Sequence, residues 1–295
     1  MLVRAALLAA ALALPAGGWS THAPLPVART EVTAATLGSA IYVAGGYLAD
    51  GSSTGRVDVY RPATNRWSRA PDLPVGVNHA ASAAVGGRLY VVGGYGAESR
   101  AFRLVGSAWQ TIQLPAPRAA AGVAVLGGLL YVVGGRTAGR LARAALAYDP
   151  QRKRWRFVPG TTPREHLAVT AARGRIYAIG GRKAGFDTNL SIVESWRPGE
   201  RRWRREPELP EPRGGTGAAA VGARIVSVGG EAPSGTLPAV YAFDLLRRRW
   251  RRLPDLPTPR HGLGVAAVGK SVYVIGGGPQ PGLHVSDANE SLALR

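Results

Sequence analysis

Six times in 295 residues the chain writes an apolar strand that ends in two glycines: IYVAGGY at 41–47, LYVVGGY at 89–95, LYVVGGR at 130–136, IYAIGGR at 176–182, IVSVGGE at 225–231 and VYVIGGG at 272–278. The first glycine of each pair recurs at steps of 48, 41, 46, 49 and 47 residues. Six of the seven tryptophans fall on the same lattice, Trp19, Trp67, Trp109, Trp155, Trp203 and Trp250. A chain written this way builds one small unit six times. Each copy alone cannot bury its apolar face, so the copies must stack or close into a ring.

Two further markers define the unit. Arg29, Arg118, Arg164, Arg213 and Arg260 each precede a first glycine by 16 residues, and Val77 holds that slot in the second unit. A large aromatic (Tyr60, Phe102, Tyr148, Trp196, Phe243) lies seven residues before each internal Trp. Pro-rich turns such as PELPEPR at 207–213 and PDLPTPR at 254–260 join the Trp to the next Arg. The variable interval lies between the glycine pair and the aromatic. Each unit therefore reads as four short strands: an Ala/Val strand A after the Arg, the Gly-Gly strand B, an aromatic strand C and a Trp strand D. Evenly spaced strands with turn signals between them mean an all-β fold. Four-stranded units of about 40–50 residues are propeller blades. The first glycine is expected where a neighbouring backbone or the Arg comes close, and the Trp in the wedge between blades.

The order Arg…Tyr-x-x-Gly-Gly…Tyr…Trp resembles the Kelch repeat, in six in-register copies that cover essentially everything after residue 18. The resemblance implies a six-bladed β-propeller of four-stranded blades, within the galactose oxidase-like propellers. The ends predict how the ring closes. GWSTHAPLPVAR, at 18–29, is a D strand and its turn with no A, B or C strand ahead of it, and ANESLAL at 288–294 suits a last C strand. The N-terminal strand should complete the sixth blade and remove a free sheet edge.

Residues 1–18, MLVRAALLAAALALPAGG, have an early Arg, a short apolar run and small residues at the end, the plan of a secretory signal peptide. The run is short for a bilayer span, which needs about 20 residues, although an uncleaved anchor is the alternative. The chain is thus expected in the periplasm, the cell envelope or outside the cell, with the propeller at 19–295, no transmembrane span after the leader, and a monomeric state. There is no cysteine, which excludes disulfides, thiolate nucleophiles and Cys-ligated metals. The copper-radical chemistry of galactose oxidase needs a Tyr–Cys crosslink, so the resemblance does not extend to that activity.

Function is expected on the face that collects the D-to-A turns and the variable B-to-C loops. Candidate binding residues there are the repeat arginines Arg29, Arg118, Arg164, Arg213 and Arg260, with His79, His166 and His261 beside them and Tyr47 and Tyr95 opening two loops. The repeat arginines also suit a structural role, stapling backbone carbonyls. Glu165 and Glu31 are the weak candidates for acid–base catalysis, which the exported sialic-acid mutarotases, also six-bladed Kelch propellers, imply by fold alone. The histidines are not expected to bind metal. His79 and His166 lie two residues after their Arg slot but His261 only one, and on a strand that difference reverses the side chain. No cofactor is expected, since GTGAAA at 215–220 and GLGVAA at 262–267 fall in A-strand slots and open no helix.

The opposite face carries QRKRWR (151–156), GERRWRR (199–205) and LLRRRWRR (245–252), much of the +19 net charge. This Arg rim suits an acidic polymer. Nucleic acid is a poor partner for it, because no aromatic stacking surface accompanies the arginines. Only three of the 37 basic residues are Lys, as a coding bias would produce. The leading expectation is a module that binds a protein or glycan through the loop face. The alternatives are a mutarotase-type enzyme and a polyanion binder.

Overall fold

The computed structural model describes residues 18–294; the expected leader therefore lies, apart from Gly18, outside the described residues. Six four-stranded antiparallel sheets follow one another in the order A-B-C-D. Blade 1 is Thr33–Leu37, Ala40–Ala44, Val57–Arg61 and Arg66–Arg69. Blade 6 is Gly264–Val268, Ser271–Ile275 and Asn289–Ala293, and its outer strand is Trp19–Thr21 from the N-terminus. Trp19 pairs with Leu292 and Thr21 with Glu290, so the ring closes as expected. Short extra hairpins, Arg136–Thr137 with Arg140–Leu141 and Glu231–Ala232 with Gly235–Thr236, extend two of the B-to-C loops.

Side-chain size sets the order of the strands. The A strands are TAATL, ASAAV, GVAVL, AVTAA, GAAAV and GVAAV, and only small residues fit where six strands converge. They line an axial channel of about 410 Å³. The B strands are apolar on both faces because each is covered by a blade on either side, as with Val43 and Ala44 or Val91 and Val92. The D strands face solvent and alternate exposed charge with half-buried Trp.

The glycine pair joins each blade to the next. A Cβ on Gly93 would lie 2.2 Å from the Arg118 carbonyl oxygen, and the N–H of Gly94 donates to that same oxygen at 2.8 Å. The second glycine of every pair repeats this bond: Gly46 to Val77, Gly135 to Arg164, Gly181 to Arg213, Gly230 to Arg260, and Gly277 to Arg29 across the closure. The tryptophans join blades at the outside. Trp67, Trp109, Trp203, Trp250 and Trp19 each donate their indole N–H to a carbonyl four residues past the Trp of the preceding blade. Only Trp155 lacks such a partner among the described residues. They act as half-buried hooks and not as buried wedges.

The repeat arginines are the inner counterpart. Arg29, Arg164 and Arg260 are fully buried against carboxylates of their own C strands: Asp58 at 2.6 Å, Glu194 at 2.6 Å and Glu290 at 2.7 Å. Arg118 has Leu146 in the acid slot and bonds the carbonyls of Ala144 and Pro117. Arg213 has Tyr241 there, with its guanidinium 5.1 Å from the ring centre, and bonds the Ala239 carbonyl and Glu211. Blade 2 replaces the ion pair by Val77 and Phe102, both fully buried in one apolar cluster.

That last assignment corrects the aromatic register. Tyr60, Tyr148 and Phe243 pair across the sheet with their Trp, but in blade 2 Leu104 pairs with Trp109. The C-to-D turn of blade 2 is two residues shorter, so Phe102, though seven before its Trp, occupies the place that Asp58 holds in blade 1.

Candidate functional site

Two residues after each Arg slot the backbone turns left-handed. Glu31, His79, Ala120 and His166 have φ between 51° and 53°, and Gly215 and Gly262 have 65° and 57°. These six residues, one per blade, hold one another in a loop around the axis. The N–H of His79 donates to the Glu31 carbonyl, Ala120 to His79, His166 to Ala120, Gly215 to His166 and Gly262 to Gly215. Val32 donates to the Gly262 carbonyl and closes the loop. A left-handed non-glycine residue costs about 1–2 kcal/mol, and four of them at equivalent places mark strain held at a prospective site.

This ring corrects the strand argument about the histidines. The backbone of His79 and His166 is left-handed and not extended, so side-chain direction does not alternate from the Arg slot, and both converge with His261 after all. The rings of His79 and His166 meet edge to face with centres 4.8 Å apart. Glu31 lies between His79, whose Nε2 is 3.2 Å from its Oε2, and His261, whose Nδ1 is 3.4 Å from its Oε1. The Nε2 of His261 donates to the carbonyls of Gln280 and Gly282, both at 3.0 Å, which turns Nδ1 toward Glu31 and Glu231.

Burial by itself works to raise the Glu31 carboxyl, but His79, His261 and His166 outweigh it and hold the group well below the ordinary carboxylate range. Burial works to lower His261, yet its hydrogen bond to Glu31 and the charges of Glu31 and Glu231 leave it raised. His166 is held well below the ordinary value, by burial first and by His79 second. Neither of its ring nitrogens has a hydrogen-bond partner.

The residue after each glycine pair forms a second ring above the first: Tyr47, Tyr95, Arg136, Arg182, Glu231 and Gly278. Arg182 pairs with the buried Glu231 at 2.6 Å, and Arg136 with the buried Glu165 at 3.2 Å. Tyr47 and Tyr95 flank His79 edge-on, with centres 5.9 and 5.3 Å from it. Over this ring opens a pocket of about 210 Å³ lined by Thr30, Glu31, Tyr47, His79, Arg182 and Glu231, with His261, Phe186, Gly282 and Leu283 completing it. Phe186 and Leu283 are exposed apolar side chains at its lip.

A family profile for the KLHDC2/KLHL20/DRC7 Kelch-repeats domain matches residues 18–181, and the Kelch motif matches 163–210 and again 212–257. The chain belongs to the Kelch-repeat family. No curated protein matches it in sequence. The solved structure of YjhT is similar to this Kelch propeller over 92% of this chain and 96% of its own, with a TM-score of 0.79 at 16% identity, a likeness of fold alone.

Within the Kelch propeller the sequence candidates separate. Glu31, His79, His261 and Tyr47 line the pocket; His166 lies beneath it, on the channel side of Glu31 and His79. Arg29, Arg118, Arg164, Arg213 and Arg260 have buried side chains engaged within their own blades, so they are not presented to a ligand. Glu165 is held by Arg136 and does not line the pocket. Arg136, Arg182, Glu231, Phe186 and Leu283 were missed. The first three stand immediately after a glycine pair, where only the two tyrosines had been chosen, while Phe186 and Leu283 carry no repeat signal. On the opposite face, Arg152 and Arg247 are exposed and partly matched by Asp149 and Asp244 three residues away, while Arg252, near the other end of its D strand, pairs with Asp255. Among the described residues no helix is long and apolar enough to cross a membrane.

Proposed function

We propose that this Kelch propeller is an exported glycan-binding module that takes one sugar residue in the loop-face pocket. The observation that carries the reading is the mixed lining of that pocket. Tyr47, Phe186 and Leu283 offer apolar surface, and Arg182, Glu231, Glu31 and His261 offer donors and acceptors beside it. A sugar needs both, since its hydroxyls donate and accept while its C–H faces are apolar. A volume of about 210 Å³ is below the ~300–1,000 Å³ of drug-sized sites, which suits a single ring. The export part of the proposal rests on the leader sequence at 1–18.

A thermal-shift screen with neutral sugars, acidic sugars and polyanions, at low and high salt, tests this. A ligand at 100 times its Kd adds about 2.7 kcal/mol. The expected result is a salt-resistant shift with a small sugar that Phe186→Ala weakens about tenfold (about 1.4 kcal/mol) without lowering the unliganded Tm. Shifts with polyanions alone, lost in salt, would move the function to the Arg rim. No shift with any of them would leave a protein partner on the loop face.

A second reading, an anomer-exchanging enzyme, is favoured by Glu31 standing between His79 and His261 at the pocket floor, an acid–base set in one place. Glu31→Gln should then abolish exchange while sugar binding survives; exchange that persists in the variant rules this reading out.

A further inference from the structure

We propose that Glu31, His79 and His166 form a site for a divalent transition-metal ion of the zinc class, set where the axial channel meets the pocket. Their donor atoms all lie within 4.8 Å of one another. Two imidazoles and a carboxylate are a donor set such ions accept, and three protein ligands leave a position open. The ring of left-handed residues supplies no fourth ligand, because its other members are Ala120, Gly215 and Gly262.

The hydrogen bonds around the three side chains point the same way. Asn78 donates through Nδ2 to Ser53 and turns its Oδ1 to His79 Nδ1. That contact engages Nδ1 and leaves Nε2 of His79 facing Glu31 Oε2 at 3.2 Å. A metal-bound histidine ordinarily has its second nitrogen fixed in this way. His166 is the independent observation. Its side chain is only 7% exposed, and both nitrogens lack any hydrogen-bond partner, whereas buried polar groups ordinarily have one. Its Nδ1 stands 3.7 Å from Glu165 Oε1, beyond hydrogen-bond reach, so it has no hydrogen bond to give up in turning toward an ion. The other oxygen of Glu31 faces His261 Nδ1 at 3.4 Å, while Oε2 is turned to His79. The guanidiniums of Arg182 and Arg136 are matched by Glu231 and Glu165, which limits repulsion of a cation.

The test uses untagged full-length protein stripped with chelator and titrated with Zn²⁺ or Co²⁺, with no sugar present, so that its outcome is separate from that of the ligand reading. One ion per chain should bind. Visible Co²⁺ absorption should report nitrogen ligands. The ring NMR signals of His79 and His166 should shift on Zn²⁺ addition while those of His22 and His284 stay still. His166→Ala, His79→Ala and Glu31→Gln should each weaken binding at least about 100-fold, beyond the usual loss from removing a supporting residue, and His284→Ala should not. No uptake by the wild type, or uptake that shifts His22 or His284 in place of His79 and His166, overturns the proposal. The NMR result decides the matter even where a variant fails to fold. Equal affinity in folded His166→Ala likewise overturns it.

Discussion

Glu290→Phe should destabilise the protein by about 3–5 kcal/mol, the usual cost of removing one partner from a buried ion pair. Adding Arg260→Val to the same chain should restore most of the loss. Arg260 is fully buried, with Nη1 2.7 Å from Glu290 and Nη2 3.1 Å from the Val274 carbonyl. Once the carboxylate is gone, a guanidinium that cannot shed its proton keeps the Val274 carbonyl but loses its ion-pair partner. Phe at 290 and Val at 260 would recreate what blade 2 already contains, where Val77 and Phe102 fill the same two slots in an apolar cluster. Well-packed apolar replacements of buried pairs are often neutral or better. The assay is urea denaturation followed by Trp fluorescence for both single variants and the double, with thermal melts in parallel. At about 2–4 °C per kcal/mol for a chain of this size, the Glu290 variant should melt roughly 10 °C lower. The interaction energy of the cycle should be at least about 2 kcal/mol in favour of the double. A Glu290→Phe chain within about 1 kcal/mol of wild type, or a double no more stable than that single variant, would refute the argument.

Other consequences follow from the same geometry. Gly93→Ala and Gly139→Ala both force a left-handed alanine, about 1–2 kcal/mol. Only Gly93 also drives a Cβ into the Arg118 carbonyl, whereas Gly139 has open space. Its denaturation midpoint should therefore fall further, and equal losses would contradict the inter-blade role of the glycine. Burial works to raise Glu194, but Thr161, Arg164 and Thr162 outweigh it and lower the carboxyl. A folded pKa below the unfolded one gives stability that is present above the unfolded carboxylate value, about 4.3, and is lost as pH falls through the folded value. The stability gap between wild type and Glu194→Gln should accordingly narrow in acid, and a gap independent of pH from 6 down to about 3 would count against the pairing. Asn78→Ala frees the His79 ring and should weaken metal uptake by about 10–100-fold without changing its stoichiometry. Unchanged affinity would show that Asn78 does not orient the ligand.

The blades were legible because their markers are local. The spacing of the Arg, the glycine pair and the Trp is set by strand length and tight turns, and both can be counted along the chain. The glycine slot was understood for the right reason, a neighbouring backbone too close for a Cβ. The Trp lattice was also real, although the indoles proved to be half-buried hooks. Phe102 shows where counting fails. It stands seven before Trp109 like its counterparts, yet a turn two residues shorter moves it into the acid slot of its blade. An interval taken from a Trp across the C-to-D turn does not reveal which residue of the C strand pairs with it.

The site was legible in part. Glu31, Tyr47, His79 and His261 sit at or beside repeat positions and could be chosen from the sequence, but their directions were not available there. Strand periodicity holds only for extended backbone, and it predicted that His261 would point away from His79 and His166. Five of the six left-handed residues at the channel mouth give their N–H to the carbonyl of the blade before, and Val32 does so beside Glu31. That hydrogen-bonded loop exists only once the ring has closed. The sequence alone determined six copies of one blade, the order of strands within them and the closing partner of the first strand. Tertiary structure decided that five arginines would be buried as staples. It also decided that Glu31, His79, His166 and His261, four residues from four blades, would meet at one mouth.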